Sequence, residues 1–152
     1  VLINRPQRPG VWHGRAGWYH HPLDVDAMQR GASLLLGEHD FSAFRAAACQ
    51  AKSPVKTVRR AEVRRVGDMI VFDFEAGAFL HHMVRNLVGS LVYVGQGKHP
   101  PEWMSSLLQS GDRRLAAPTF SAAGLYLVEV KYEPHWGLPV TSDILLPDSL
   151  GL

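Results

Sequence analysis

Thr57-Val-Arg-Arg-Ala-Glu-Val-Arg-Arg-Val-Gly-Asp-Met-Ile-Val-Phe-Asp-Phe-Glu-Ala76 decides the fold. From Met69 the residues alternate, with Ile70, Phe72 and Phe74 on one face and Val71, Asp73 and Glu75 on the other. That is the period of a strand with one buried side. Residues 57–66 read as a second strand with a looser alternation, and Gly67-Asp68 is the turn chemistry of a two-residue hairpin. The middle of the chain is therefore predicted to be an antiparallel hairpin with one apolar face to cover.

The flanking segments supply the cover. Leu80, Met83, Val84, Leu87, Val88 and Leu91 recur at helical spacing and predict a helix over 79–94. The opposite arc of that helix carries His81, His82, Arg85, Asn86, Gly89, Ser90 and Tyr93. Upstream, Asp24 reads as an N-cap with Asp26 in the first turn. Val25, Met28, Ala32, Leu35 and Leu36 continue that helix to Gly37. Residues 38–45 read as a helical turn with Phe41 and Phe44 packed inward. Residues 1–3 read as a short strand, 4–21 as a loop, and 100–110 as a third helix ended by Gly111.

Residues 125–132 read as the last strand, with Tyr126, Val128, Val130 and Tyr132 on one face and Leu125, Leu127, Glu129 and Lys131 on the other. Setting the third helix aside, the order is βαββαβ: an α+β, ferredoxin-like antiparallel sheet with helices packed on one face. The expected domain covers residues 1–132. A Pro-containing tail, 133–152, packs on or near it.

At 152 residues, 46% hydrophobic and 20% charged, the chain is an ordinary globular domain with a net charge of +2. Its cations are clustered: Lys52, Lys56, Arg59, Arg60, Arg64 and Arg65 have only Glu62 among them. Such a strip either guides a polyanion or is a solvated strand face, and composition leaves both open. Cys49 is the only cysteine, which excludes an intrachain disulfide and points to a reducing compartment, the cytoplasm. Its neighbours match no nucleophile motif.

The apolar stretch at 84–94 is too short to span a bilayer, so no membrane association is expected. No HExxH, CxxC, GxGxxG or Walker pattern occurs. Neighbours on a helix diverge by about 100°, so the adjacent pairs His20-His21 and His81-His82 make poor joint ligands, and no metal site is expected. Asp112-Arg113-Arg114 reads as a surface ion pair or a phosphate contact.

Arg85 is the only formally charged residue between Glu75 and Lys98. A guanidinium does not deprotonate, so in apolar company it needs an anion: a carboxylate, a phosphate or a helix C-terminus. His82, Arg85, Asn86 and Gly89 lie on adjacent turns and point one way. Gly89 is intrinsically poor in a helix and suits close approach of a ligand or another backbone. The plainer alternative pairs Arg85 with a structural carboxylate and gives Gly89 to helix packing.

Phe79-Leu-His-His-Met-Val-Arg-Asn-Leu-Val-Gly-Ser-Leu91 and Gly124-Leu-Tyr-Leu-Val-Glu-Val-Lys-Tyr132 strongly resemble the C-terminal half of the tRNA pseudouridine synthase A family. Pro22-Leu-Asp-Val-Asp-Ala-Met28, Gly37-Glu-His-Asp-Phe-Ser-Ala-Phe-Arg45 and Asp112-Arg113 support it. The resemblance runs from Val1 to about Tyr132. Family members carry a nucleophilic Asp in a Gly-Arg-Thr-Asp-Ala-Gly-Val-His motif, and a Tyr that packs on the target base, in their N-terminal half. Neither motif occurs here, and Val1-Leu-Ile-Asn enters a strand-like run at once. The chain thus reads as the C-terminal domain alone.

The resemblance implies isomerisation of uridine to pseudouridine in the tRNA anticodon stem-loop, by a homodimer in its full-length form. It implies no metal or organic cofactor. The basic residue matching Arg85 pairs with the catalytic Asp, and Leu125 matches a residue of the uracil pocket. His81, His82, Asn86, Arg59, Arg60, Arg64 and Arg65 are the candidate RNA contacts. The fragment by itself is expected to be inactive. The alternative is a non-catalytic RNA-binding module with a ferredoxin-like fold.

Overall fold

The computed structural model describes residues 1–138. A five-stranded sheet is built from β1 (Leu2–Asn4), β2 (Gly17–Tyr19), β3 (Gly37–Asp40), β4 (Val55–Val66) and β5 (Met69–Ala76), in the order β2-β1-β5-β4-β3. Three helices, α1 (Val25–Ser33), α2 (Met83–Gly95) and α3 (Trp103–Ser110), complete the α+β architecture. The central hairpin forms as its alternation predicts: β4 and β5 are antiparallel, from Val66↔Met69 to Arg60↔Glu75, with a bulge between Val58 and Arg60.

The pairing sorts the two faces. Val58, Ala61, Val63 and Ile70 enter the core, and Phe72 and Phe74 pack against it. Arg60, Glu62 and Arg64 pair with Glu75, Asp73 and Val71 and occupy the other face. Helix α1 packs on β4 and α2. Asp24 caps α1 as expected, its carboxylate accepting from the Ala27 N–H at 2.9 Å. Beyond the reach of β3, the edge of β4 is covered by a side chain. Gln29 accepts from the Val63 N–H and donates to the Ala61 carbonyl.

Four departures from the expected elements have physical reasons. Helix α2 starts at Met83 rather than at 79, because the loop before β4 captures His81. The Ala46 N–H donates to the His81 carbonyl at 3.2 Å, and the His81 N–H points to Cys49 Sγ at 3.3 Å. With its carbonyl already taken, His81 is no part of the helical ladder. His82 adopts the left-handed conformation, φ 60°, that joins loop to helix. Strand β3 falls where a helical turn was expected. Its Gly-Glu-His-Asp sequence has no apolar alternation, because it is a mostly exposed edge strand. The helical turn that follows it, Ser42–Phe44, is present, with Phe41 and Phe44 buried. Strand β2 lies within the expected loop 4–21 and pairs parallel with β1.

The fourth departure is the last strand. Residues 125–132 join no ladder and are exposed, Leu127 reaching 80%. Strand β1 is three residues long and its outer edge is taken by β2, so no free edge remains beside it. The segment is held by side chains instead. Tyr126 donates to the Arg15 carbonyl at 2.6 Å, and Lys131 pairs with Glu75 at 2.9 Å. Of the tail, Pro134–Trp136 forms one 3-10 turn, and residues 139–152 lie outside the described residues.

A strap at 117–120 crosses α2 where Gly89 leaves no side chain. A Cβ built on Gly89 would press into the Pro118 carbonyl oxygen. Helix propensity favours Ala over Gly by about 1 kcal/mol, but the strap's backbone is anchored and cannot yield. Gly89→Ala is therefore expected to destabilise the fold by about 1–3 kcal/mol in denaturant unfolding. A gain in stability would show that the strap is loosely held.

Candidate active site

Arg85 and Asn86 of α2 both bond to the strap. The Arg85 carbonyl accepts the Phe120 N–H at 3.2 Å, and Arg85 Nε donates to the Phe120 carbonyl at 2.8 Å. This reciprocal pair orients the guanidinium, and among the described residues neither terminal nitrogen has a hydrogen-bond partner. Among the described residues, no carboxylate forms an ion pair with Arg85. The side chain is half-buried, so its charge is partly withdrawn from water. The plainer reading, a structural carboxylate from the chain's own described residues, is not what the fold provides.

Asn86, expected from the sequence among the RNA contacts, lies beneath the strap. It is 0% exposed, and both ends of its amide are hydrogen-bonded. Nδ2 donates to the Phe44 carbonyl at 2.8 Å. Oδ1 accepts from Thr119 Oγ1 at 2.7 Å and from Arg113 at 3.0 Å. Ser90 Oγ accepts the Ala117 N–H at 3.3 Å and donates to the Asn86 carbonyl at 3.1 Å. The polar arc of α2 is therefore covered along Asn86, Gly89 and Ser90, and open near Arg85, His82 and His81. A single helix cannot reveal this, because the covering strap lies some thirty residues downstream in sequence.

His81 and His82 stack at the start of α2, ring centroids 3.9 Å apart. No side chain caps that helix end. Partial burial, with the charges of His81 and Arg85 beside it, lowers the His82 pKa below its ordinary value. Cys49 Sγ, next to the His81 N–H, is also lowered, chiefly by backbone hydrogen bonds from Ala51 and His81.

The expected basic strip divides. Arg60 is paired with Asp73 at 3.1 Å and lies 4.0 Å from Glu62. Arg65 is on the helix-bearing side, donating to Asn4 Oδ1 at 2.9 Å and to the Leu23 carbonyl at 3.3 Å. Arg59 sits exposed at the bulge, and Arg64 lies on the face opposite the helices. The Asp112-Arg113-Arg114 run also divides. Arg114 forks onto Asp112, whose carboxyl falls to about 2 through that side chain and the Arg114 N–H. Arg113 turns inward, donating to the Ala117 carbonyl at 2.9 Å and to Thr119 Oγ1 at 3.1 Å. Its anchoring role is one that reading the sequence missed. The signal was only the run of small and turn residues that follows it.

Leu125 is 48% exposed, five residues beyond Phe120 on the chain that leaves the strap. The strap thus connects Arg85 to Leu125 in sequence. Among the described residues, no group of three or more His, Cys, Asp or Glu is placed to hold a metal ion. No helix among them is long and apolar enough to cross a membrane.

Comparison with known proteins bears directly on this arrangement. A family model described as tRNA pseudouridine synthase matches residues 32–133, which include the hairpin, α2, Arg113 and the strap. The tRNA pseudouridine synthase A of Dechloromonas aromatica is 65% identical over 150 residues, 99% of this chain and 57% of that protein. The protein of the same name from Methylobacillus flagellatus is 59% identical over 140 residues, 92% of this chain and 54% of its own length. That from Nitrosomonas europaea is 55% identical over 139 residues. The chain spans about half the length of the curated relatives it matches. With the family model covering most of the chain and Arg85, Asn86 and the strap inside the matched region, this chain belongs to the tRNA pseudouridine synthase family.

Proposed function

We propose that these 152 residues are the C-terminal half of a longer tRNA pseudouridine synthase that isomerises uridine to pseudouridine in the tRNA anticodon stem-loop. One observation carries the site assignment. Arg85 is oriented by its Nε bond to Phe120, yet among the described residues its two terminal nitrogens have no partner and no acid balances its charge. A carboxylate from a segment outside these residues, the nucleophilic Asp that the family resemblance implies, completes it. A bidentate guanidinium holds such a carboxylate ionised and fixes its direction, which keeps it a nucleophile.

The target base leaves the RNA stack before reaction, the uridine C1′–N1 bond breaks, and the uracil turns and rejoins through C5, which gives up its proton to water while N1 gains one. Leu125 is the apolar wall of the uracil pocket. His81 and His82 stand at an uncapped helix N-terminus, where a backbone phosphate is favoured by the helix dipole. Arg59, exposed at the bulge, is the strip residue that tracks the RNA backbone. Arg60 shares its charge with Asp73, and Arg65 serves the fold. The complete protein is a homodimer of the cytoplasm. The exposed apolar side chains Leu127, Val128, Val130, Tyr132 and Trp136 are surface that would gain from cover.

In the complete protein, Arg85→Lys keeps the charge and loses the fork. The expected result is a fall in kcat of about 10²-fold or more with KM for tRNA within about threefold, read by tritium release from labelled uracil. Near-parental turnover would remove Arg85 from the reacting centre. The 152-residue chain alone should release no tritium, and release would refute the division of the site.

Salt dependence separates the strip residues. Arg59→Ser should weaken tRNA binding and reduce the slope of log K against log salt by about 0.7–0.9 per lost phosphate contact. Arg65→Ser should leave that slope unchanged and lower Tm instead. An unchanged slope in Arg59→Ser assigns that residue to a solvated face. In a pH titration by NMR, the His82 ring should have its midpoint below the ordinary imidazole value, and Arg85→Gln, by removing a positive neighbour, should move it upward. A midpoint insensitive to Arg85 would show the two side chains apart.

A further inference from the structure

We infer that Thr119 and Arg113 are positioning residues for the reaction: they aim the Arg85 guanidinium by holding the Phe120 carbonyl. This rests on the reading of Arg85 given above. The relevant fact is where the hydrogen bonds end. Arg85 is oriented by a main-chain oxygen, not by a side chain, so its direction is only as well defined as the backbone at Phe120. That backbone is exposed chain on one side, since Pro118 and Thr119 are exposed. On the other side it is fastened by a network centred on Asn86.

Thr119 Oγ1 donates to Asn86 Oδ1 at 2.7 Å. Arg113 binds the same Oδ1 at 3.0 Å, Thr119 Oγ1 at 3.1 Å and the Ala117 carbonyl at 2.9 Å. Asn86 is itself fixed to the Phe44 carbonyl. The strap is thus clasped immediately before the residue whose carbonyl orients Arg85. Arg113 has no ion-pair partner among the described residues. The three bonds it makes to described residues all go to the clasp. An exposed threonine with its hydroxyl bonded to a buried amide contributes little apolar packing, so its value lies in direction rather than in core stability.

Positioning through another residue has a kinetic signature. In the complete protein, Thr119→Val removes the hydroxyl at nearly constant volume. It should lower kcat by about tenfold with KM for tRNA within about twofold, and Thr119→Ser should return kcat to within about twofold of the parent. Arg113→Lys should reproduce the loss. The decisive arm is a double-mutant cycle by single-turnover assay. In an Arg85→Lys background, where no fork remains to be aimed, Thr119→Val should cost nothing further.

Additive losses in that background overturn the inference, as does unchanged kcat in Thr119→Val or a loss confined to KM. So does a fall in Tm, in both Thr119→Val and Arg113→Lys, that accounts for the lost activity. A parent protein that releases no tritium sinks the proposed function and this inference together. An active parent with an additive cycle sinks only the inference.

Discussion

The Arg85–Phe120 pair is the contact on which the rest of the site depends. Two hydrogen bonds run between the same two residues, one from backbone to backbone and one from Nε to a carbonyl. Together they attach the chain leaving α3 to the outer face of α2. Gly89 makes the approach possible, and Asn86 and Ser90 satisfy the polar groups that the approach buries. The result is a helix whose polar arc is closed by backbone along most of its length and left open at its first turn. Arg85 is the charge at that opening.

Among the described residues, Arg85 is an oriented cation without an anion. On the proposed reading, a carboxylate from outside the described residues offsets the cost of half-burying this guanidinium. Several other arginines of the described chain are neutralised or absorbed locally. Arg114 is forked onto Asp112, Arg60 is bound to Asp73, and Arg65 is spent on Asn4 and Leu23. These pairings reduce the basic strip of β4 that composition suggested, and they leave Arg85 as a cation whose surroundings within these residues give it direction without balance.

The hairpin, the cap of α1 by Asp24, the end of α3 at Gly111 and the inward Phe41 and Phe44 were legible because each depends on residues close in sequence. What was not legible depends on distant partners. The start of α2 is set by Ala46, whose N–H takes the His81 carbonyl. The burial of Asn86 is set by Thr119 and Arg113. The clean alternation of 125–132 predicts a strand, but alternation supplies only a face, and a ladder also needs a free edge, which β1 beside β2 does not offer. Strand β3 escaped for the opposite reason: it has an edge to pair with and no apolar pattern to announce it. Arg85 itself could be read from sequence as a charge in need of an anion, whereas its fixing by a carbonyl could not.

What lies against the two terminal nitrogens of Arg85 in the complete protein decides whether the site is shared with another segment. A crystal structure of the complete protein measures this directly. The expected result is an aspartate carboxylate from outside residues 1–152 within about 3 Å of both nitrogens, facing a cleft open to a uracil beside Leu125. Arg85 turned instead onto an acidic side chain of these same 152 residues, with no cleft before it, would contradict the account.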